Sequence, residues 1–210
     1  MSEPAGADFA RIATRYDLIN RLLSLGQERK WRESGVQMLE LGVVLDLGCG
    51  TGATEFGERV VIGLDPVIEM LALSPVALRV VGIGERLPLG DASVDGVFSG
   101  FVFRNLTSVT ATLAEIHRVL RPGCSAVIVD LGRPDGRLQR MVHRMATGVI
   151  LPLVGLLFAG APGEYRYLHR SLDSLPRPEV LYAAGPMRLE EVWRAGVFGF
   201  VYGVRLRKPD

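Results

Sequence analysis

Lysine is nearly missing from this chain: among its 24 basic residues, Lys30 and Lys208 are the only lysines. Arginine carries the positive charge, and 23 acidic residues balance it to a formal net charge of +1. A chain so balanced has no global electrostatic drive toward nucleic acid, and none is expected as a partner. Cysteine is also scarce. Cys49 and Cys124 each sit in a separate glycine turn, which excludes a disulfide framework and a cysteine metal site. The histidines His117, His143 and His169 stand at no metal-like spacing, so no metal is expected. Stretch 1–15 holds acidic residues and no apolar core. A secretory leader is therefore not expected, and the cytoplasm is the default compartment.

Apolar residues, in contrast, make up 48% of the 210 positions, enough to bury a substantial core in a single domain spanning 1–210. Residues 9–38 read as helical, with Leu18, Ile19, Leu22, Leu23 and Leu25 close to helical spacing. Segment 1–40 is thus expected to form a helical cap. From Gly42 onward the pattern changes to short apolar runs at 43–47, 60–64, 78–81, 94–99 and 126–131. Runs apolar on both faces suit central parallel strands. Helical segments alternate with them, most clearly 108–120, which Arg121-Pro122-Gly123 should stop. Two last runs, 189–194 and 198–206, lie too close together for a helical crossover and should pair antiparallel. The expected fold is α/β: a doubly wound, Rossmann-like, seven-stranded sheet with an antiparallel last strand and helical caps over the site. Segment 53–59 has room for little more than one helical turn, and 66–77 must hold the next helix.

The first strand runs into Val44-Leu45-Asp46-Leu47-Gly48-Cys49-Gly50-Thr51-Gly52. Glycines there let the main chain approach a ligand at the sheet's carboxyl edge. A dinucleotide fold would use the same edge. The Gly-x-Gly-x-Gly spacing and the preceding Asp46 favour S-adenosylmethionine, whose amino-acid end is zwitterionic, over a nicotinamide cofactor. The expected cofactor contacts are Asp46, Gly48, Gly50, Thr51 and Gly52, with Asp65 at the end of the second strand. A carboxylate at Asp65 can accept both ribose hydroxyls. Asp65-Pro66 is also a good helix start, so capping stays open beside ribose binding.

With these pieces assembled, the chain resembles the ubiquinone/menaquinone biosynthesis C-methyltransferases over nearly its whole length. Tyr16-Asp17-Leu18-Ile19-Asn20, followed by Leu23-Ser24 and Trp31, is similar to one family signature. Arg118-Val119-Leu120-Arg121-Pro122-Gly123 is similar to another. Phe101-Val102-Phe103-Arg104-Asn105-Leu106 resembles the family's Arg-Asn motif, and Tyr165-Arg166-Tyr167-Leu168 with Ser171 a C-terminal one. The chain departs from the pattern at Glu28, Ile83, Gly100, Cys124, Asp130 and Gly132. The resemblance implies adenine contact from Ile83 and Gly84, and a place for Gly100 beside the cofactor. It implies methylation of a polyprenylated quinol, with Arg104 and Asn105 facing the acceptor ring. Methylation of another small hydrophobic acceptor is an alternative, as is a weakly catalytic scaffold subunit that binds S-adenosylmethionine.

Arginine is a poor base, because its pKa lies above about 12. Arg104 is therefore expected to orient a ring oxygen or a water. The other reading pairs it with Asp17 or Asp130 to lock the N-terminal helix. Tyr16 could contact the ring oxygen or the sulfonium, or be a packed helix aromatic. Asp17 and Asn20 could be local caps. His117 reads as structural, and His169 as a candidate near the acceptor. Segment 135–175 is expected to be a helical lid. Within it Leu138, Met141, Val142 and Met145 share one helical face and Arg137, Arg140 and Arg144 another. The run 148–158 is shorter than the roughly 20 residues of a membrane-crossing helix, and Pro152 should kink it. A lid that meets anionic lipid at the membrane surface, a sheet-covering helix and a homodimer contact are all open.

Overall fold

The computed structural model describes residues 24, 26–134, 136–145, 148, 172 and 176–210. Helix α1 is Glu28–Val36 and strand β1 is Val43–Leu47; β2 (Val60–Asp65), α2 (Ile68–Leu73), β3 (Leu78–Val81) and β4 (Val94–Gly100) follow. Then come α3 (Val109–Val119), β5 (Leu120–Leu131), α4 (Arg137–Met145), α5 (Pro178–Ala183), β6 (Arg188–Ala195) and β7 (Val201–Arg207). The seven strands form one sheet in the order β3-β2-β1-β4-β5-β7-β6. Strands β1 to β5 pair in parallel, and β7 runs antiparallel to both β5 and β6. This is the expected doubly wound sheet.

Side chains alternate across the sheet with the period of two that a strand dictates. Leu45, Val97, Ala126 and Ile128 face one way, into a core shared with Leu113, Ile116 and Tyr182 of α3 and α5. Val44, Phe98, Val127 and Val129 face the other way, into a core shared with Trp31 and Val36 of α1. Helix α1 lies very close to the sheet because Gly35 has no side chain. A Cβ there would stand 2.9 Å from both Phe98 and Val129. Helix α3 starts at an N-cap, Ser108, whose hydroxyl accepts from the Ala111 amide at 3.2 Å.

Winding reverses between β1 and β4. From β1 the chain moves outward to β2 and β3, then returns to place β4 on β1's other side. The winding switches between the carboxyl ends of these two strands, where such sheets bind ligands.

Several expectations need correction. The N-terminal helical reading of 9–38 is interrupted. Gly26 takes φ +74°, a left-handed conformation, and helix α1 begins only at Glu28. Segment 53–59 forms irregular chain and turns, with no helical turn. There Phe56 is buried edge-on against Phe98, ring centres 5.7 Å apart, so one aromatic covers sheet that a helix would cover. Strand β5 pairs from Leu120, earlier than its apolar run at 126, because Leu120 pairs with Val94 across an irregularity. Phe198 lies in a turn at φ +61°, and β7 starts only at Val201. Helix α4 buries none of its residues, so 137–145 does not cover the sheet. Residues 1–23, 25, 135, 146–147, 149–171 and 173–175 lie outside the described residues.

Candidate active site

The glycine loop is built by close approach. Gly48, Gly50 and Gly52 all take positive φ, at +71°, +54° and +77°. A side chain at Gly48 would collide with Val102, and one at Gly52 would come within 2.8 Å of the Pro75 ring. Gly50 is different: a Cβ there would meet nothing within 4 Å. Its exposed face is where a ligand can lie against bare backbone. The loop is anchored from behind, since the Gly48 and Cys49 amides both donate to the Leu64 carbonyl at 2.7 and 3.0 Å. The Cys49 thiol packs toward Gly63, and burial pushes its pKa up to about 12. It is a space-filling group, not a nucleophile.

Asp65 ends β2 directly behind this loop. One carboxylate oxygen accepts from the Gly50 amide at 2.9 Å and the other from the Val67 amide at 2.9 Å. The second bond is a local turn two residues on, and α2 itself has no side-chain cap. The capping alternative is thus partly realised as a turn. Each oxygen keeps a further lone pair for a hydroxyl. Burial raises the Asp65 carboxyl above its ordinary range, while the Val67 and Gly50 amides pull it back.

Asp46 is the more isolated acid. It is 2% exposed, and its Oδ2 has no hydrogen-bond partner among the described residues. Burial lifts its pKa to about 7, Arg32 lowers it in opposition, and Asp65 raises it further.

The far wall is the 82–92 connection. Ile83 is half exposed at its first turn, where it bridges to Arg86, and Gly84 is buried against Thr112. Glu85 accepts from the Thr107 and Ser108 amides at 2.8 and 3.0 Å, pinning this wall to the start of α3. Arg118 pins its other end through the Leu87 and Leu89 carbonyls and Asp91.

Beyond β4, Phe101 turns the chain at φ +68°, an uncommon conformation for a residue with a side chain. A short 3₁₀ turn, Phe103–Asn105, follows. Arg104 Nη1 donates to Asp130 Oδ1 at 2.5 Å and to the Phe101 carbonyl at 2.9 Å. Its backbone amide donates to Asp130 Oδ2 at 3.1 Å. Asp130 is fully buried, so this ion pair fixes the guanidinium at the end of β4. The structure therefore realises the Asp130 pairing that was one of the two readings of Arg104. Asn105 closes the turn, its amide donating to the Val102 carbonyl at 2.8 Å. Tyr16, Asp17, Asn20 and His169 lie outside the described residues. Among the described residues no cluster of three or more metal-binding side chains occurs.

The ubiE/COQ5 methyltransferase family model matches residues 4–185. The chain belongs to this family. It is 37% identical over 192 residues to the demethylmenaquinone methyltransferase of Thermus thermophilus, covering 83% of this chain and 87% of the relative. With the enzyme of that name from Deinococcus radiodurans the identity is 40% over 190 residues, covering 82% and 79%. The fold is shared with an SAM-dependent methyltransferase from Thermotoga maritima, at TM-score 0.68, 17% identity and coverage of 95% and 97%. Another from Aquifex aeolicus gives TM-score 0.60, 18% identity and coverage of 94% and 97%. The chain is an S-adenosylmethionine-dependent methyltransferase.

The residues present fit that donor. Its amino-acid end needs a buried acceptor for an ammonium, and Asp46 Oδ2 is one. Its length needs bare backbone to lie on, and Gly50 provides it. Asp65, at the end of the neighbouring strand, keeps lone pairs that could accept hydroxyls such as those of the ribose.

The sequence reading missed Arg32 and Thr54. Both are buried, at 9% and 7% exposure, and Arg32 Nη1 donates to the Thr54 hydroxyl at 3.1 Å. A signal existed. The buried face of α1 consists of Trp31, Arg32, Gly35 and Val36, so a guanidinium stands within an apolar stripe.

Proposed function

We propose that this methyltransferase transfers the methyl group to a ring carbon of a polyprenylated quinol of the demethylmenaquinol type. The reading is supported by the 37–40% identical relatives whose names state that activity. The observation that carries it is the Arg104–Asp130 pair, held rigidly at the carboxyl edge one strand end from the glycine loop. The sulfonium methyl is already electrophilic, so the protein's task is alignment and exclusion of water. The ring carbon supplies the electron pair for the new C–C bond as the S–C bond breaks. The ring proton then leaves to solvent, and S-adenosylhomocysteine is the other product. Arg104 donates a hydrogen bond to a ring oxygen and orients it. Because Asp130 already balances its charge, it orients without imposing a full net positive charge. Asn105 and Tyr16 complete the acceptor side in this reading.

Helix α4 supplies the approach for a lipid-tailed acceptor. Leu138, Met141 and Met145 are exposed along one face, next to Arg137, Arg140 and Arg144. No acidic residue occurs in 136–148. Such a face suits an anionic membrane surface. No described helix is long and apolar enough to cross a membrane. Sedimentation with vesicles containing phosphatidylglycerol should pull the protein down, and Leu138→Asp with Met141→Asp should release it. Equal pull-down of that double variant would remove α4 from membrane contact.

The decisive test is turnover of a demethylmenaquinol analogue within a panel of lipophilic acceptors, read by mass spectrometry as a gain of one methyl. Arg104→Ala should lose turnover by roughly 10²-fold or more while keeping S-adenosylhomocysteine affinity. Retained turnover in that variant would remove Arg104 from the reaction. Methylation of other acceptors but no quinol would favour a different small hydrophobic substrate.

A further inference from the structure

Helix α1 sends one charged side chain into the donor half of the site. The Arg32 guanidinium lies over the Phe101 ring, 5.0 Å from its centre, and bonds Thr54 through Nη1. Its Nε has no hydrogen-bond partner among the described residues although Arg32 is only 9% exposed. Gly100, the last residue of β4, gives it room: a Cβ there would stand 3.0 Å from Arg32 Nη1. The same guanidinium is close enough to Asp46 to act on its carboxyl against burial. Two opposite charges thus lie near each other at the carboxyl edge of β1 and β4. Each retains an unpartnered polar atom, and no hydrogen bond or ion pair joins them. A buried donor left unmade is costly, more so when charged, so such a pair calls for a ligand that satisfies both.

We propose that Arg32 binds the α-carboxylate of S-adenosylmethionine while Asp46 binds its α-ammonium, so that α1 supplies half of the amino-acid subsite. A zwitterionic head group meets both charges at once, with the acid toward the guanidinium and the amine toward the carboxylate. Thr54 and the Phe101 face hold the guanidinium in place from behind. The backbone strain at Phe101 has a consequence here, since the φ of +68° turns its ring beneath Arg32. Gly100 is then a clearance residue for Arg32 as much as a contact of the donor itself. Arg32 is a binding residue in this assignment and takes no part in methyl transfer.

The test is calorimetric binding of two ligands to the full chain. S-adenosylhomocysteine carries the amino-acid head, and 5′-methylthioadenosine is the same nucleoside without it. In Arg32→Met, affinity for S-adenosylhomocysteine should fall by about 10–100-fold, the range of a charge-assisted hydrogen bond to a buried partner. Affinity for methylthioadenosine should change by less than about twofold. Arg32→Lys should recover part of the loss, because it restores charge without the planar fork. Gly100→Ser should reproduce the selective loss by displacing the guanidinium, and should add little in the Arg32→Met background. This second route stands if Arg32→Met does not fold. Equal loss for both ligands, or unchanged S-adenosylhomocysteine affinity in either variant, would overturn the assignment and leave Arg32 as a packing residue. A wild-type chain that bound neither ligand would overturn the cofactor reading beneath it.

Discussion

Asp46 offers the sharpest quantitative test of the site, because its two states have opposite value to the protein and to its ligand. Burial pushes its pKa from the ordinary 3.8 up to about 7, with Arg32 of α1 opposing and Asp65 of β2 adding. The folded chain without ligand therefore holds the proton more tightly than the unfolded chain does. That contribution to stability is fully present below about pH 4 and is lost as pH rises through about 7. A shift of this size corresponds to something on the order of 4 kcal/mol. An ammonium group, in contrast, needs the carboxylate. Below about pH 7 binding must expel the proton, so affinity for S-adenosylhomocysteine falls by about tenfold for each pH unit below that point. Between pH 8 and pH 6 the expected weakening is about tenfold, or ~1.4 kcal/mol. Calorimetry in two buffers of different ionisation enthalpy should show close to one proton released per ligand at pH 6 and almost none at pH 8. Asp46→Asn should abolish the pH slope, bind the ligand weakly throughout, and melt higher than the wild type at pH 7.5 without ligand. Equal wild-type affinity at the two pH values, or an Asn variant that keeps the slope, would refute the role given to this carboxylate. So would an Asn variant that melts lower at pH 7.5.

Gly50→Ala separates binding from stability at the loop. The φ of +54° should cost only about 1–2 kcal/mol in a melt, because a Cβ there meets no neighbour. S-adenosylhomocysteine affinity should fall by more than that cost, and a loss of stability alone would place the ligand elsewhere. Asp130→Ala leaves the Arg104 guanidinium buried without its fully buried counter-ion. Chemical denaturation should show a loss of about 3–5 kcal/mol, and a change below about 1 kcal/mol would mean that the pair is not buried in solution.

The glycine loop at the sheet's carboxyl edge was legible in the sequence because it is local. Asp46, Gly48, Gly50 and Gly52 sit on one strand end, and tight turns announce themselves through glycine. Asp65 was legible as a strand-terminal acid, but its bond to the Gly50 amide was not, since that contact crosses between neighbouring strands. The alternation of runs and helices carried the doubly wound parallel sheet, and the short span between the last two runs carried the antiparallel strand; the order of the strands came only from the structure. Boundaries failed where a tertiary contact overrides a local pattern. Leu120 joins β5 because Val94 lies opposite, and 53–59 stays non-helical where Phe56 covers the sheet.

Arg32 shows most clearly where a one-dimensional reading stops. Its partners are Thr54, Phe101 and the clearance at Gly100, at sequence separations no periodic pattern spans. Helix α1 can deliver it only because Gly35 lets the helix settle against Phe98 and Val129. Replacing Gly35 would therefore act on the site from the opposite face of the packing. Lifting the helix off the sheet would withdraw the guanidinium from Asp46 without touching any group that meets the ligand. Gly35 is thus part of how the cofactor edge acquires its positive charge in this assignment. The glycine loop leaves the end of β1, while Arg104 follows β4 and its partner Asp130 lies on β5. The pairing of β1 with β4, and of β4 with β5, holds that loop and that ion pair in a fixed relation at one edge of the sheet.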